Sequence, residues 1–307
     1  DILYQMLEAA IQGGATHVKT QSIFARNITF RSRFEEGFDC KDKKNFNSIK
    51  RPYNDEFDRL EKLELSWNDQ SRFVERCKSL GVVPLTTCFT HDSLVPIIDC
   101  GFEEIKFASY DCGSHALIER AKNSFKHIYI STGASFGDEI KNTSKILRNN
   151  DHTLFHCVTI YPLKPSEANL DRINFLKTLN DKIGYSDHSS KFLSGLESNL
   201  VALHLGIVAL EFHFTILKEG DTRDGKVSLE KNDIKTLVDF INLSNSDQAS
   251  YLNQNYPEWK RCIGKSTRKL SDQELLNRDY YRGRFSSPRF EYNNSESTNI
   301  MNWEKWS

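Results

Sequence analysis

The sequence predicts an α/β protein built as a (β/α)8 TIM barrel whose first strand is missing from the chain. Three observations carry this reading. Short apolar runs recur along the chain with helical stretches between them, and strand alternating with helix means parallel pairing. Most of the runs are rich in Val, Ile and Phe, as strands covered on both faces are. The polar residues fall at the C-terminal ends of those runs, the face on which parallel sheets and barrels place their chemistry. A doubly wound open sheet is the competing reading. It would usually open on a Gly-rich phosphate turn, and the sequence has none.

Ile2 to Gly13 is predicted helical, with Leu3, Met6, Leu7, Ala10 and Ile11 on one side and Gly13-Gly14 as its stop. Strands are expected at His17–Ile23, Val82–Phe89, Glu104–Ser109, His127–Thr132, Leu154–Ile160, Lys182–Asp187 and Ile207–Phe214. Trp67–Leu80 is the clearest helix. Ser66 is its N-cap, Asp69 holds the capping-box position, Phe73, Val74 and Cys77 form its apolar stripe, and Gly81 stops it. Further helices are expected at Ser114–Asn123, Phe136–Asn149, Ser166–Leu179, Phe192–Leu205 and Leu229–Ser244. Seven strands behind a leading helix leave a barrel one strand short, and its natural place is before Asp1. The chain also lacks an initiator Met, and an N-terminal truncation is expected. Phe24 to Leu65 is a long charged and aromatic stretch. Loops of that length inside a compact domain are usually functional, a disordered insertion being the alternative. Residues 1–286 are read as the barrel domain, and 287–307 as a polar, turn-rich tail, poorly ordered or a linker remnant.

Net charge is −1 and the pI about 6.8, which calls for neither nucleic acid nor an anionic membrane. No apolar run approaches the roughly 18–20 residues of a membrane span. The seven cysteines are scattered, odd in number and free of any C-x-x-C pair. That pattern fits reduced thiols in a cytoplasmic protein better than a disulfide frame or a zinc ribbon. No signal peptide is evident.

The strand ends carry a consistent polar set. Lys19 and Gln21 end the first visible strand, Thr86 and Thr87 the second, and Lys106, Ser109 and Asp111 the third. Ser131, Thr132 and Gly133 end the fourth, while His156, Thr159 and Tyr161 lie on the fifth. Ser186, Asp187 and His188 close the sixth, and Glu211 and His213 the seventh. Two lysines among hydroxyls suit a small polyanion such as a phosphorylated carboxylic acid. Two imidazoles delivered by adjacent strands can share one metal ion, which would polarise a carbonyl. Each residue alone has a plainer reading. A strand-end His is often a hydrogen-bonded structural residue, a Lys a snorkelling surface residue, and Cys157 a small core residue. Cys112, beside Asp111, has no His tied to it that would make it a nucleophile. The weight lies in many polar groups sharing one end of successive strands.

In this order the segments resemble the sialic acid synthase (N-acetylneuraminate synthase) family, which includes legionaminic and pseudaminic acid synthases and spore-coat polysaccharide homologues. The matching stretches are His17-Val18-Lys19-Thr20-Gln21, Leu63-Glu64-Leu65-Ser66, Ile105-Lys106-Phe107-Ala108-Ser109, Ile130-Ser131-Thr132-Gly133 and His156-Cys157-Val158-Thr159-Ile160-Tyr161-Pro162. The most specific are Gly184-Tyr185-Ser186-Asp187-His188 and Glu211-Phe212-His213-Phe214-Thr215, and the match continues through Asp224 and Ser228. Phe212 stands where the family usually has Lys, and Thr20 where it usually has Phe. The family's first strand and its C-terminal antifreeze-like domain are expected to be absent from this chain.

The resemblance implies condensation of phosphoenolpyruvate with the aldehyde form of an N-acetylmannosamine-like amino sugar, giving a nine-carbon 2-keto sugar acid and phosphate. It implies a divalent metal, Mn or Mg, on His188 and His213. It places Lys19, Thr87, Lys106, Ser109, Ser131, Gly133 and Ser186 at the phosphoenolpyruvate site. Gln21, Tyr161 and Asp224 fall where the sugar and water are handled, and Asp111 where a sugar-binding acid often sits. It also implies a homodimer, and the loop Phe24–Leu65 as the part that selects the sugar. Two other readings compete: a sugar-phosphate-binding barrel that has lost activity, and a metal-dependent hydrolase, which would usually show a further cluster of His ligands.

Overall fold

A computed structural model gives the fold and describes residues 2–37, 48–289 and 298–306. Seven strands form one parallel sheet in chain order: β1 (His17–Ser22), β2 (Val83–Cys88), β3 (Glu104–Phe107), β4 (His127–Ser131), β5 (His152–His156), β6 (Ile183–Ser186) and β7 (Ala209–Glu211). All seven coincide with strands expected from the sequence. Five match to within two residues at each end, and two differ by more. β5 begins and ends earlier, so Thr159 and Tyr161 lie on the loop beyond it. The seventh run breaks at Phe212, and β8 (His213–Phe214) pairs instead with β9 (Ser228–Leu229).

The strands alternate inward and outward, as the pleat requires. Ser22 faces out, where its hydroxyl reaches Gln70 on the helix Trp67–Ser79 at 2.6 Å. Lys19 and Gln21 face the other way. The sheet is curled, because inner residues of distant strands touch. Tyr129 of β4 reaches His17 of β1 (Oη to Nε2, 3.3 Å), and Lys106 of β3 reaches Glu211 of β7 (2.5 Å). Among the described residues β7 and β1 are not hydrogen-bonded to each other, so the sheet is a half-barrel. Outside that seam the helices Ile2–Gly13 and Lys231–Ile241 pack closely, and a methyl added at Gly13 would stand 2.9 Å from Ile234 Cβ.

The hydrophobic core lies between sheet and helices. Ile105, Phe107, Ile128, Ile130, Leu154 and Tyr185 point outward from the strands, each fully buried. They pack in one cluster with helix residues such as Leu117, Ile118, Ile140 and Leu200. Each such side chain contributes about 1.5–3 kcal/mol on burial. The outer shell thus supplies the stability, and the inner face of the sheet is left free to be polar.

The helix at Trp67 starts as expected. The Ser66 hydroxyl accepts from Asp69 N at 3.1 Å and donates to its carboxylate at 2.6 Å. Phe192–Leu205 is broken in two, Lys191–Ser194 and Glu197–His204, because Gly195 turns into the left-handed region at φ 59°. Ser166–Leu179 shortens to Arg172–Lys177, behind a 3₁₀ turn and Asn169 at φ 49°. The long stretch after β1 contains two 3₁₀ turns and the helix Tyr53–Glu61. No described helix is long and apolar enough to cross a membrane. Six of the seven cysteines are buried free thiols, and Cys40 lies outside the described residues.

The C-terminal segment departs from expectation. Residues 287–307 read as a loose tail, yet β10 (Ser286–Arg289) and β11 (Thr298–Met301) form an antiparallel hairpin packed on the loops after β2 and β3. Ser287, Ile300 and Asn302 are buried. Asp92 N donates to Ser287 Oγ at 3.1 Å, and Trp306 lies 5.4 Å from the His91 ring and 4.7 Å from the Arg120 guanidinium. The segment has little apolar periodicity because the barrel meets it with hydrogen bonds.

Candidate active site

A cavity of about 2270 Å³ runs through the half-barrel interior and opens at the strand ends. Every residue to which the resemblance gives a role lines it except Gly133, which lies directly behind its wall; of the other strand-end residues, Thr86, Thr132, His156 and Asp187 do not reach it.

The centre is a charge cluster built by three strands. Lys106 Nζ donates to Glu211 Oε2 at 2.5 Å and sits 4.0 Å from the centre of the Phe155 ring. Lys19 Nζ lies 3.7 Å from Glu211 Oε1 and donates to Thr87 Oγ1 at 3.1 Å. Burial alone would push the Glu211 carboxyl up, but Lys106 and Lys19, with the Ser186 hydroxyl, hold it well below the usual carboxylate range. Burial lowers the Lys19 ammonium against the pull of Glu211, and Lys106 pushes it the same way. Glu211 is a member of the site that was not given a role from the sequence. The sequence carries half of the signal: Ala209, Glu211 and His213 share one parity, which turns Glu211 inward, while its pairing with the two lysines appears only in the structure, where it stands beside Ser186 in the register.

Next to this cluster lie the two histidines. His188 Nδ1–H donates to Val158 O at 2.8 Å, which leaves Nε2 unprotonated. The Tyr161 hydroxyl donates to that Nε2 at 3.0 Å, and its ring stacks on the imidazole at 4.1 Å. Burial, with His213 nearby, pushes His188 down to about 4, so the ring is neutral at physiological pH. The His213 ring centre is 5.8 Å from that of His188, and its Nδ1 lies 3.6 Å from Asp224 Oδ2. Two neutral imidazoles with a carboxylate behind one of them form a donor set that suits a divalent cation. No cluster of three or more His, Cys, Asp or Glu able to hold a metal exists among the described residues. The remaining coordination would therefore be open to oxygen from water or substrate.

The wall toward β4 is tight. Ser109 Oγ and Cys157 Sγ are 3.0 Å apart, and a methyl on Gly133 would stand 2.5 Å from Cys157 Sγ and 3.0 Å from Ser109 Oγ. Gly133→Ala is expected to displace both and to cost about 1–3 kcal/mol of stability. Urea unfolding checks this; an unchanged midpoint would mean that the wall yields to the methyl without cost. Cys112 is fully buried, and burial pushes its thiol up to about 12, so it serves packing and not nucleophilic chemistry. His156 is likewise structural, with Nε2 2.7 Å from Ala168 O.

Asp111 sits apart from Asp224, on the 3₁₀ turn after β3. It is nine-tenths buried, its Oδ1 accepts from Ser114 Oγ at 2.8 Å, and burial raises the carboxyl from 3.8 to about 6. At the cavity mouth, Glu56 receives Arg59 at 2.9 Å, Arg223 at 3.5 Å and Arg284 at short range. That network joins the loop after β1 to the loop carrying Asp224, a link that no local sequence pattern announces.

The NeuB family model matches residues 6–250. An N,N'-diacetyllegionaminic acid synthase from Campylobacter jejuni is 30% identical over 245 residues, covering 77% of this chain and 70% of that protein. An N-acetylneuraminate-9-phosphate synthase from Drosophila melanogaster is 30% identical over 59% of this chain and 49% of its own length. A pseudaminic acid synthase from Campylobacter jejuni is 24% identical over 94% of this chain and 77% of its own length. The chain thus spans between about half and three quarters of these curated relatives. A solved N-acetylneuraminic acid synthetase from Leptospira borgpetersenii, in complex with citrate, superposes with a TM-score of 0.65 at 25% identity over 90% of this chain and 85% of that one. The spore coat polysaccharide biosynthesis protein SpsE of Bacillus subtilis shares the fold, with a TM-score of 0.66 at 20% identity over 98% of this chain and 80% of that one. With the family model spanning most of its length and its polar strand ends gathered in one cavity, this chain belongs to the NeuB family.

Proposed function

We propose that the chain condenses phosphoenolpyruvate with an N-acetylmannosamine-like amino sugar to give a sialic-acid-type nonulosonic acid and phosphate. The observation that carries this reading is the Lys19–Glu211–Lys106 cluster beside two neutral imidazoles at one end of the half-barrel. The named activities of the relatives support the same class of reaction. We further propose that the half-barrel is the greater part of a (β/α)8 barrel and that the protein works as a homodimer.

Lys106 and Lys19 bind the phosphate and offset its charge as it leaves, while Glu211 keeps their ammonium groups from repelling one another. The hydroxyls of Thr87, Ser109, Ser131 and Ser186 supply directional donors around them. The enol carbon bonds to the sugar's aldehyde carbon, and the aldehyde oxygen takes up a proton. Water then adds to the electron-poor carbon that carried the phosphate ester, and the C–O bond to phosphate breaks. Asp111 and Asp224 are the two candidate carboxylates for guiding that water and accepting its proton. The Tyr161 ring stacks on His188, and its hydroxyl would give up Nε2 for His188 and His213 to hold a divalent cation, Mn or Mg, which when bound supplies Lewis-acid polarisation of the sugar carbonyl.

The test is phosphate release from phosphoenolpyruvate, with Mn or Mg, with and without N-acetylmannosamine or diacetamido-trideoxy sugars. Sugar-dependent release is expected, falling at least about 100-fold in His213→Ala, as the loss of a metal ligand predicts. Silence with every sugar, alongside tight phosphoenolpyruvate binding, would instead make the chain a sugar-phosphate binder.

A further inference from the structure

The turn that follows β11 reaches into the same cavity. Asn302 is buried and lines it, beside Asp111. Its amide nitrogen donates to Asp111 Oδ1 at 2.8 Å and to Phe89 O at 2.7 Å, and its backbone oxygen accepts from Leu117 N at 3.2 Å. Both of these side-chain partners are acceptors, so the amide must present its NH₂ to them. The consequence is that Asn302 Oδ1 is left buried with no partner. An apolar plug of the same size would avoid that penalty. The turn is otherwise well anchored, with Met301 N donating to Glu304 Oε2 at 2.8 Å and Trp303 5.3 Å from the Arg282 guanidinium.

The effect on Asp111 is specific. Asn302 and Ser114 both donate to Oδ1, and Oδ2 takes no hydrogen bond among the described residues. We propose that Asn302 is a positioning residue for the condensation: by holding Oδ1 of Asp111 it keeps Oδ2 turned to the cavity, ready for a hydroxyl of the amino sugar or for water. This rests on the synthase reading above. The C-terminal hairpin is then a part of the site, brought to it from far along the chain.

The charged and titratable groups around Asp111 are Arg282, on the loop leading to the hairpin, and the buried Cys88 thiol of β2. Neither is changed by substitution at 302. Removing a donor from a carboxylate raises its pKa. In Asn302→Leu, carboxyl 13C NMR of the full chain should show Asp111 titrating higher by about one unit. The acid limb of kcat/KM for the amino sugar should move the same way, with kcat/KM down about tenfold and KM for phosphoenolpyruvate unchanged. If the leucine variant fails to fold, Asn302→Ser keeps a small polar side chain in the turn but is too short to reach Asp111, and the same upward shift is expected. An unmoved Asp111 titration, or an active variant with an unmoved acid limb and sugar KM, would overturn the proposal alone. No turnover by the unsubstituted chain with any amino sugar would overturn the synthase reading and this role with it.

Discussion

Lys106→Met is expected to cut phosphoenolpyruvate-dependent phosphate release by about 1000-fold or more, the scale on which a lost electrostatic contact to a charged transition state acts. Met keeps the length of the side chain and its contact with Phe155, so the loss isolates the charge. The same variant should be less stable. Lys106 is 3% exposed, and its removal leaves Glu211 with the Ser186 hydroxyl and the longer ion pair to Lys19. Breaking a buried pair costs about 3–5 kcal/mol, and the partial exposure of Glu211 reduces this to about 2–3 kcal/mol. Glu211→Gln added to Lys106→Met should recover little of that stability in urea unfolding, because the partly buried Lys19 ammonium then loses its carboxylate. It should recover none of the activity. Lys106→Arg is not a rescue, since a longer, planar guanidinium fork does not reproduce the compact point charge of an ammonium at this position. A Lys106→Met protein active within tenfold of the unsubstituted chain would remove the lysine pair from the chemistry.

The parallel strands were legible because each is a short apolar run with turn or helix signals on both sides, and burial on two faces leaves few other choices. The inward residues were legible by the same token: a lysine such as Lys106, set between Ile105 and Phe107, has only the interior to point into. His188 and His213 were found at strand ends for the same reason. Other features needed the third dimension. Glu211 takes its role from residues of β1 and β3, far away in sequence, and nothing local marks it as their counter-ion. The break of Phe192–Leu205 at Gly195 is a backbone choice that Gly permits and does not dictate. The hairpin of β10 and β11 was missed because its buried residues are mainly Ser and Asn, and it is held by hydrogen bonds to partners such as Asp92, Phe89 and Asp111. Polar burial of that kind leaves no hydrophobic period to read.

Asp111→Asn should make the protein more stable and much less active. Burial raises this carboxyl from 3.8 to about 6, so the folded chain holds its proton more tightly than the unfolded chain does. The sign follows directly. Below about pH 4 both states are protonated and the group is neutral to stability. Between about pH 4 and pH 6 the unfolded chain ionises first, and stability falls as pH rises. Above about pH 6 the full penalty persists, about 2–3 kcal/mol for a shift of this size. An asparagine keeps the shape. Its carbonyl oxygen can accept from Ser114 and Asn302, and its NH₂ takes the place of the oxygen that faces the cavity. Thermal melts should therefore show Asp111→Asn stabilised at pH 8 by about 2 kcal/mol and little changed at pH 4. Turnover with the amino sugar should fall by about 100- to 1000-fold, the usual loss when a positioned acid–base group is removed. A variant no more stable at pH 8 than the unsubstituted chain would mean that the buried carboxylate is already compensated. A variant that is more stable and still active would show that Asp111 is tolerated without a task. The two changes together are what a residue retained for chemistry produces, because the fold would be better off without its charge.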